Sequence, residues 1–306
     1  METKEKNIVG VPLLYIVAIN FNSSAHTVEM VQSILKSDYE NIQIVIVDNA
    51  SIDSDYENLN SISEQVILLR SEENLGFSGG NNLGIRYAID HLADYIMIIN
   101  NDTIVEPDAI RIMMEAVCKD EIDVVSPKIL FWNEKETLNY AGGSIVPLKG
   151  GISIWGLGQK DEGQYNAPKE ISYAHGCCTL ASAQTWQEAG LMDEKYFLYY
   201  EDVALSNTFL ELGKKMWYIP DAVIYHKESA STKKYSANYQ YYLCRNRLSY
   251  IREYVKFPAK IAAYCYTTLF VLKNLKRKNF QLSNIKDAWC DYRRRVYGKR
   301  STKLSN

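Results

Sequence analysis

Paired cysteines are the first thing this chain lacks. Its six cysteines, Cys118, Cys177, Cys178, Cys244, Cys265 and Cys290, form no C-x-x-C pair and no disulfide-like density for 306 residues. That excludes a disulfide framework and points to reduced thiols and a cytoplasmic setting. Long apolar runs are missing too: no stretch reaches the ~18 uninterrupted residues that a spanning helix needs. Lys4 and Lys6 followed by the run Ile8 to Ile19 imitate a signal peptide. Pro12 interrupts that run, however, and its continuation into Asn20-Phe21-Asn22 suits a first core strand better than a cleavage site. There is no internal repeat and no low-complexity tract. Neither G-x-G-x-x-G nor the P-loop pattern occurs, which disfavours ordinary dinucleotide and P-loop chemistry.

What is present is an ordinary globular composition, 47% hydrophobic and 23% charged, long enough for one large core and an appendage. The net charge of −3 conceals an asymmetry. From Lys273 onward, eleven Lys and Arg face only Asp287 and Asp291, a local +9 that leaves the first 272 residues near −12. A basic tail on an acidic body points to an anionic surface, membrane or nucleic acid, as partner.

Four short runs rich in Ile, Val and Leu, at Leu13 to Ile19, Ile42 to Val47, Val66 to Leu69 and Tyr95 to Ile99, read as strands buried on both faces. Helical spacing lies between them at Thr27 to Lys36 and Gly79 to Ala93, so the pattern is βαβ with a mostly parallel sheet. A helix from Asp108 to Val117 and a strand near Ile122 to Ser126 extend it. The segment Lys149 to Pro168 carries five glycines and reads as a surface loop or lid. Beyond it come a strand at Cys177 to Ala181, a helix near Ala183 to Ala189, the Phe197 to Gly213 block and short strands at Met216 to Ile219 and Ala222 to Tyr225. From Tyr239 onward the chain reads as helices.

Chemistry-bearing residues cluster at strand ends, where open α/β sheets bind ligands. Asp48, closing the second strand, can accept hydrogen bonds from a ribose or a base; it can equally be a turn carboxylate. The stretch Glu73 to Asn82, with Asn74, Gly76 and Gly79, suits backbone contact with a ligand and a helix N-terminus that favours phosphate, or else a glycine-rich turn. Asn100-Asn101-Asp102 follows the fourth strand, and Asp102 reads either as a metal ligand or as an Asx-turn cap of the helix opened by Glu106-Pro107-Asp108. Glu201 and Asp202 stand behind an aromatic run. They are compatible with a general base in a partly dry site, or with acids that simply suit a helix N-terminus. His226 at a strand end can hold a metal or a phosphate, or be merely exposed.

Taken in order, Asp48-Asn49-Ala50-Ser51, Glu73 to Asn82, Asn100-Asn101-Asp102 and Phe197 to Val203 resemble the motifs of family 2 glycosyltransferases of the bacterial rhamnosyltransferase-like branch. Gly190 to Glu194, Pro220 to His226 and Arg245-Asn246-Arg247 extend the resemblance from about Tyr15 to Arg247. It implies a GT-A fold over residues 1–236, with a nucleotide-sugar half at about 13–126 and an acceptor half at about 127–236, followed by a helical basic extension over 237–306. It also implies inverting transfer of a sugar from a dTDP-, UDP- or GDP-linked donor to a hydroxyl of a glycan or lipid-linked glycan, in cell-surface polysaccharide assembly.

By the same resemblance, Asp48, Asn20 and Asn22 lie beside the nucleoside, with Asn74, Gly76, Gly79, Asn101 and Arg245 also on the donor. Asp102, with Asn100 in place of the family's first acid and His226 nearby, holds Mg²⁺ or Mn²⁺. Asp202 is the base and Glu201 orients the acceptor. The apolar run Ile261 to Leu272 and the basic residues after it suit either an anionic membrane leaflet, where a lipid-linked acceptor would be found, or packing on the domain. The resulting expectation is a cytoplasmic enzyme peripheral at the inner face of the membrane, without nucleic acid as a partner. The competing expectations are a nucleotidyltransferase that makes a nucleotide-sugar and a non-catalytic binding protein on the same fold.

Overall fold

The chain begins as a regular alternation of buried strands and covering helices. The computed structural model describes residues 10–119, 121–227 and 235–301; Lys4, Lys6, Ile8 and Lys303 of the sequence reading lie outside them. Strands β1 (Leu14–Asn20), β2 (Ile42–Asp48), β3 (Ile67–Arg70) and β4 (Tyr95–Ile99) are joined through helices α1 (Ser24–Ile34), α2 (Asp53–Asn58) and α3 (Gly76–Asp90). They pair in parallel in the order β3-β2-β1-β4. Parallel strands need crossover helices, and those helices cover both faces of the sheet. Ile16, Val17, Val45, Ile46 and Ile96 are accordingly fully buried.

α3 lies close against β1 because Gly84 has no side chain: a Cβ there would stand 2.4 Å from Val17 Cγ1.

The second half departs from a parallel pattern. It comprises β5 (Thr103–Val105), α4 (Ala109–Val117), β6 (Val124–Phe131), β7 (Leu138–Tyr140), β8 (Gly143–Val146), β9 (Gly151–Ile154), β10 (Lys169–Ile171), β11 (Cys178–Ser182), α5 (Ala183–Glu188), α6 (Glu201–Glu211) and β12 (Met216–His226). β11 enters antiparallel between β4 and β6. The expectation of a mostly parallel sheet therefore holds for the first four strands and for β6 with β12, and the antiparallel β11 between them makes the whole mixed. The reversal sets the N-terminal end of β11 beside the C-terminal end of β4, with Cys178 opposite Ile99.

Two details depart from the sequence reading. The segment beginning at Lys149 is not only loop, since β9 pairs with β8 and the buried Lys128 bridges across to Asp161 at 2.7 Å. Met216 to Tyr225 forms one irregular strand, not two. Helices α7 (Ala237–Tyr254), α8 (Ala259–Lys276) and α9 (Leu282–Arg294) close the chain. α7 contributes Tyr250 and Ile251 to the main core, and Val255 just after it does the same. Among the described residues no helix is long and apolar enough to cross a membrane.

Candidate active site

The C-terminal ends of β1 and β2 meet in a dense polar knot. Asp48 is 0% exposed; its Oδ1 accepts from Asn20 Nδ2 at 2.9 Å and its Oδ2 from Ser51 N at 3.2 Å. Asn20 Nδ2 also reaches Ser51 Oγ and Asp55 Oδ2, and its Oδ1 accepts from Thr27 Oγ1. Asp55, absent from the sequence reading, accepts from Ser23 N, Ser24 N and Ser24 Oγ and so closes the α1 N-terminus. Partial burial pushes its pKa up, but the hydrogen bonds from Asn20, Ser24 and Ser23 outweigh that and hold it below the usual carboxylate value. Asn22 Oδ1 accepts from Ile52 N. The asparagines thus shape the loop around Asp48.

Beside this knot a cleft of about 550 Å³ is lined by Ala50, Ser51, Arg70, Ser71 and Glu72. Arg70 lies across the Tyr56 ring at 4.1 Å, with its Nε 3.6 Å from Asp48 Oδ2 and its NH2 2.7 Å from Asp53. It is the cationic group that the sequence reading missed. The only signal was a lone Arg closing an apolar strand. Another cleft, of about 440 Å³, is lined by Asn82, Arg86 and Gly190 to Glu194 and by none of Asp48, Asp102, Glu201 or Asp202.

The glycine-bearing segment has a different role from the one expected. Gly76 has φ +75°, and a Cβ there would meet Phe197 O at 2.4 Å; a Cβ at Gly79 would meet Leu75 Cβ at 2.8 Å. The α3 N-terminus is already capped by the aromatic block: Phe77 N donates to Phe197 O at 2.8 Å and Ser78 Oγ to Tyr196 O at 2.8 Å. Phe77 N and the Ser78 hydroxyl, in the first turn of α3, therefore hold the Phe197 segment in place. Asn74 Oδ1 accepts from Gly76 N, and Asn49 clamps the same turn through Leu75 N and Gly76 O.

After β4 the chain turns at Asn100-Asn101-Asp102 and enters β5, so Asp102 does not cap the helix that follows. β5 pairs with β12 and sets Thr103 opposite His226. That pairing brings His226 Nε2 to 3.1 Å from Asp102 Oδ1 and 3.4 Å from Asn100 Nδ2. Asn100 Oδ1 and His226 Nδ1 are buried without a hydrogen-bond partner. Asn101 turns away, donating to Thr27 Oγ1 at 2.9 Å. Among the described residues no three His, Cys, Asp or Glu side chains gather as a metal site. The donor set is one carboxylate, one amide and one imidazole, and the unsatisfied Asn100 oxygen is what an oxygen-preferring cation would complete.

The acidic pair is reached across β11. Asn100 N donates to Cys177 O at 2.9 Å, and the neighbouring Gly176 N donates to Asp202 Oδ2 at 3.2 Å. Tyr173 Oη donates to the same Oδ2 at 2.5 Å. Burial raises the Asp202 pKa, opposed by the hydrogen bonds from Tyr173, Gly176 and Val203. Glu201, 7% exposed, has an Oε2 without a partner. Burial, followed by the Asp202 charge, pushes its pKa well above the ordinary carboxyl value. The two carboxyls sit in different surroundings: Tyr173, Gly176 and Val203 donate to Asp202, whereas Glu201 Oε2 has no partner. Burial, followed by the nearby His226, lowers the His175 pKa to about 3, so this imidazole is neutral; its Nδ1 accepts from Cys177 N.

Arg245 does not join this edge. It is 0% exposed, and its guanidinium is spent on Asn246 Oδ1, Tyr241 Oη and the carbonyls of Gly298 and Lys195. Four of its five donors are engaged inside the protein, and the side chain is enclosed between α7, Lys195 and Gly298.

Polar residues at the ends of the parallel strands and the acidic pair at the head of α6 are linked across the start of β11 through Asn100, Cys177, Gly176 and Asp202, and the fold as a whole is that of the GT-A glycosyltransferases. A solved structure with that fold, the mannosyltransferase PcManGT from Pyrobaculum calidifontis in complex with GDP-Man and Mn²⁺, aligns with a TM-score of 0.57 at 13% identity, covering 94% of this chain and 76% of its own. Residues 15–186 match Glycosyl transferase family 2, and the chain belongs to that family. The match contains Asp48 and Asp102 and ends before Glu201-Asp202. The low-salt glycan biosynthesis hexosyltransferase Agl10 of Haloferax volcanii is 28% identical over 236 residues, 75% of this chain and 73% of the relative. The N-acetylglucosaminyl-diphospho-decaprenol L-rhamnosyltransferase of Mycobacterium tuberculosis is 22% identical over 251 residues, 74% and 80% of the two chains. The protein is a glycosyltransferase.

Proposed function

We propose that the chain transfers a sugar from a nucleoside-diphosphate donor, with inversion, to a hydroxyl of a glycan or lipid-linked glycan, with Asp202 as general base. The observation that carries the base assignment is the pair Glu201 and Asp202 at the head of α6. Burial pushes both pKa values up, that of Glu201 well above the ordinary carboxyl value, while donors from Tyr173, Gly176 and Val203 favour the charged form of Asp202. A carboxylate whose pKa is raised by burial is a stronger base than one in water, and here three donors favour its charged form. Asp202 takes the proton of the acceptor hydroxyl as that oxygen attacks the anomeric carbon. The bond from that carbon to the diphosphate oxygen breaks, and the nucleoside diphosphate leaves from the opposite face. Glu201, protonated, is able to donate a hydrogen bond to the acceptor.

The nucleoside is assigned to the cleft beside Asp48, where Arg70 and Tyr56 offer a cation and a ring face. Asp102, Asn100 and His226 would hold a divalent cation, Mg²⁺ or Mn²⁺, and when bound it would neutralise the charge that develops on the departing diphosphate. PcManGT was solved with Mn²⁺ and a nucleotide-sugar, and the Mycobacterium relative is named for a lipid-diphosphate acceptor; both support this donor and acceptor class.

The test is Asp202→Asn. Transfer should fall by about two to four orders of magnitude, the usual worth of a general base, while thermal stabilisation by the donor is retained. Undiminished transfer would remove Asp202 from this role. Nucleoside diphosphate, not pyrophosphate, is the expected product, which separates the reading from a nucleotidyltransferase.

A further inference from the structure

α8 is turned inside out for a helix on a water-soluble protein. Its polar Thr267 and Asn274 are buried, satisfied within the helix by the carbonyls of Ala263 at 2.7 Å and Phe270 at 2.9 Å. Its outer face carries Ile261, Tyr266, Leu269 and Leu272, and the outer face of α9 carries Leu282 and Trp289; these six are 41% to 68% exposed. The two helices are neighbours, joined by Tyr264 Oη and Tyr292 Oη at 2.8 Å. No charged residue occurs in α8 between Lys260 and Lys273. Scattered exposed apolar residues are ordinary, whereas a concentration of them marks an interaction surface.

The charge around this face has one sign. Lys273, Lys276, Arg277 and Lys278 are exposed where α8 ends, as are Lys286, Arg293, Arg294 and Arg295 on α9 and just beyond it. Both acids of the region are engaged from within: Asp287 is paired with Arg300 at 2.7 Å and Asp291 accepts from Tyr241 Oη at 2.6 Å. What faces outward is therefore apolar and cationic together. A second copy of the chain on the same patch would set like charge against like charge. An anionic leaflet supplies both complements, acyl chains for the apolar side chains and headgroups for the cations.

We propose that the outer faces of α8 and α9 dock the protein on an anionic lipid bilayer, lying in its interface without crossing it. The inner side of α8 faces the catalytic block. Ala263 packs on Gly150, where a Cβ would come within 3.2 Å of it, and Gly150 O accepts from Tyr200 Oη at 3.0 Å, one residue before Glu201. Docking through α8 thus holds the acceptor half of the site close to the lipid surface. The interface itself requires neither donor nor acceptor.

Co-sedimentation of the full chain with vesicles tests this independently of activity. Binding is expected to vesicles of phosphatidylcholine mixed with phosphatidylglycerol, and not to phosphatidylcholine alone, and it should weaken as salt is added. Lys286→Gln, Arg293→Gln and Arg294→Gln together should weaken it on the order of a hundredfold, since each cation near the surface is worth roughly fivefold. Leu269→Ser with Leu272→Ser should weaken it as well, with the donor-induced thermal shift unchanged. Two results would overturn the proposal. One is equal sedimentation of both variants with the wild type. The other is no vesicle binding accompanied by a wild-type dimer that Leu269→Ser dissociates, which would give the face to a second copy. Either result leaves the transferase reading standing.

Discussion

At the residue scale the site depends on the donors that face one buried carboxyl, Asp202. Tyr173 lies 29 residues before Asp202 and reaches it only because β11 returns antiparallel across the sheet. Burial, followed by the Asp202 charge, pushes the Tyr173 pKa well above its usual value, so the phenol remains a donor throughout the working pH range. Its hydrogen bond favours the charged form of Asp202. Tyr173→Phe removes that preference, so the Asp202 pKa rises and the acid limb of kcat/KM against pH should move up by about one unit. Activity at neutral pH falls while activity at high pH recovers. An unmoved limb with a lowered melting temperature would make Tyr173 structural only. Neither Tyr173 nor His175 was legible in the sequence, because no local pattern encodes a neighbour across an antiparallel return. Asp48, Asp102 and Asp202 were legible as acids at strand ends or at a helix start. Arg245 was misplaced because a cation beside an expected phosphate is indistinguishable, in sequence, from a cation buried among carbonyls.

At the scale of elements, the turn into α6 explains why the aromatic block precedes the acids. Tyr199 and Tyr200 both have positive φ, +66° and +74°, the region that side chains other than glycine rarely occupy. Two such residues in succession require restraint from outside, and Asn246 of α7 supplies it by donating to Leu198 O at 2.9 Å and Tyr199 O at 2.8 Å. Tyr200 adds its own bond to Gly150 O. The direction in which α6 points Glu201 and Asp202 is therefore set by a helix far along the chain. Asn246→Ala should cost about 1 to 3 kcal/mol, the penalty for leaving buried carbonyls unpaired. It should also lower kcat more than it raises the donor KM; a fall in the urea midpoint with unchanged kcat would show that the turn keeps its shape without Asn246. The helices and strands of the first half were legible because buried parallel strands are apolar runs of fixed length. β5, β8 and β9 were missed because strands of three or four residues carry too few apolar positions to show a period.

For the whole molecule, the reversal of strand direction at β11 divides the labour. β1, β2 and β4 end at the residues proposed for donor and cation, while α6, beyond β11, carries the proposed base, and the two sets touch through the Asn100 to Cys177 bond. Donor binding should therefore be separable from transfer by measurement. A ligand that binds only the folded chain adds RT ln(1 + [L]/Kd) to stability, about 2.7 kcal/mol at a hundredfold excess over Kd. At about 2 to 4 °C per kcal/mol for chains of this order, the correct nucleotide-sugar should raise the melting temperature by roughly 5 to 10 °C. In a panel of UDP-, dTDP- and GDP-sugars with Mn²⁺, Asp202→Asn should keep the shift, since the base is not on the donor side. Asp102→Asn should lose the part that requires Mn²⁺, leaving the shift produced by the nucleoside alone. Arg70→Ala should diminish the shift with or without the cation. If Asp202→Asn abolished the shift while Asp102→Asn did not, the assignment of the two halves of the sheet would be reversed.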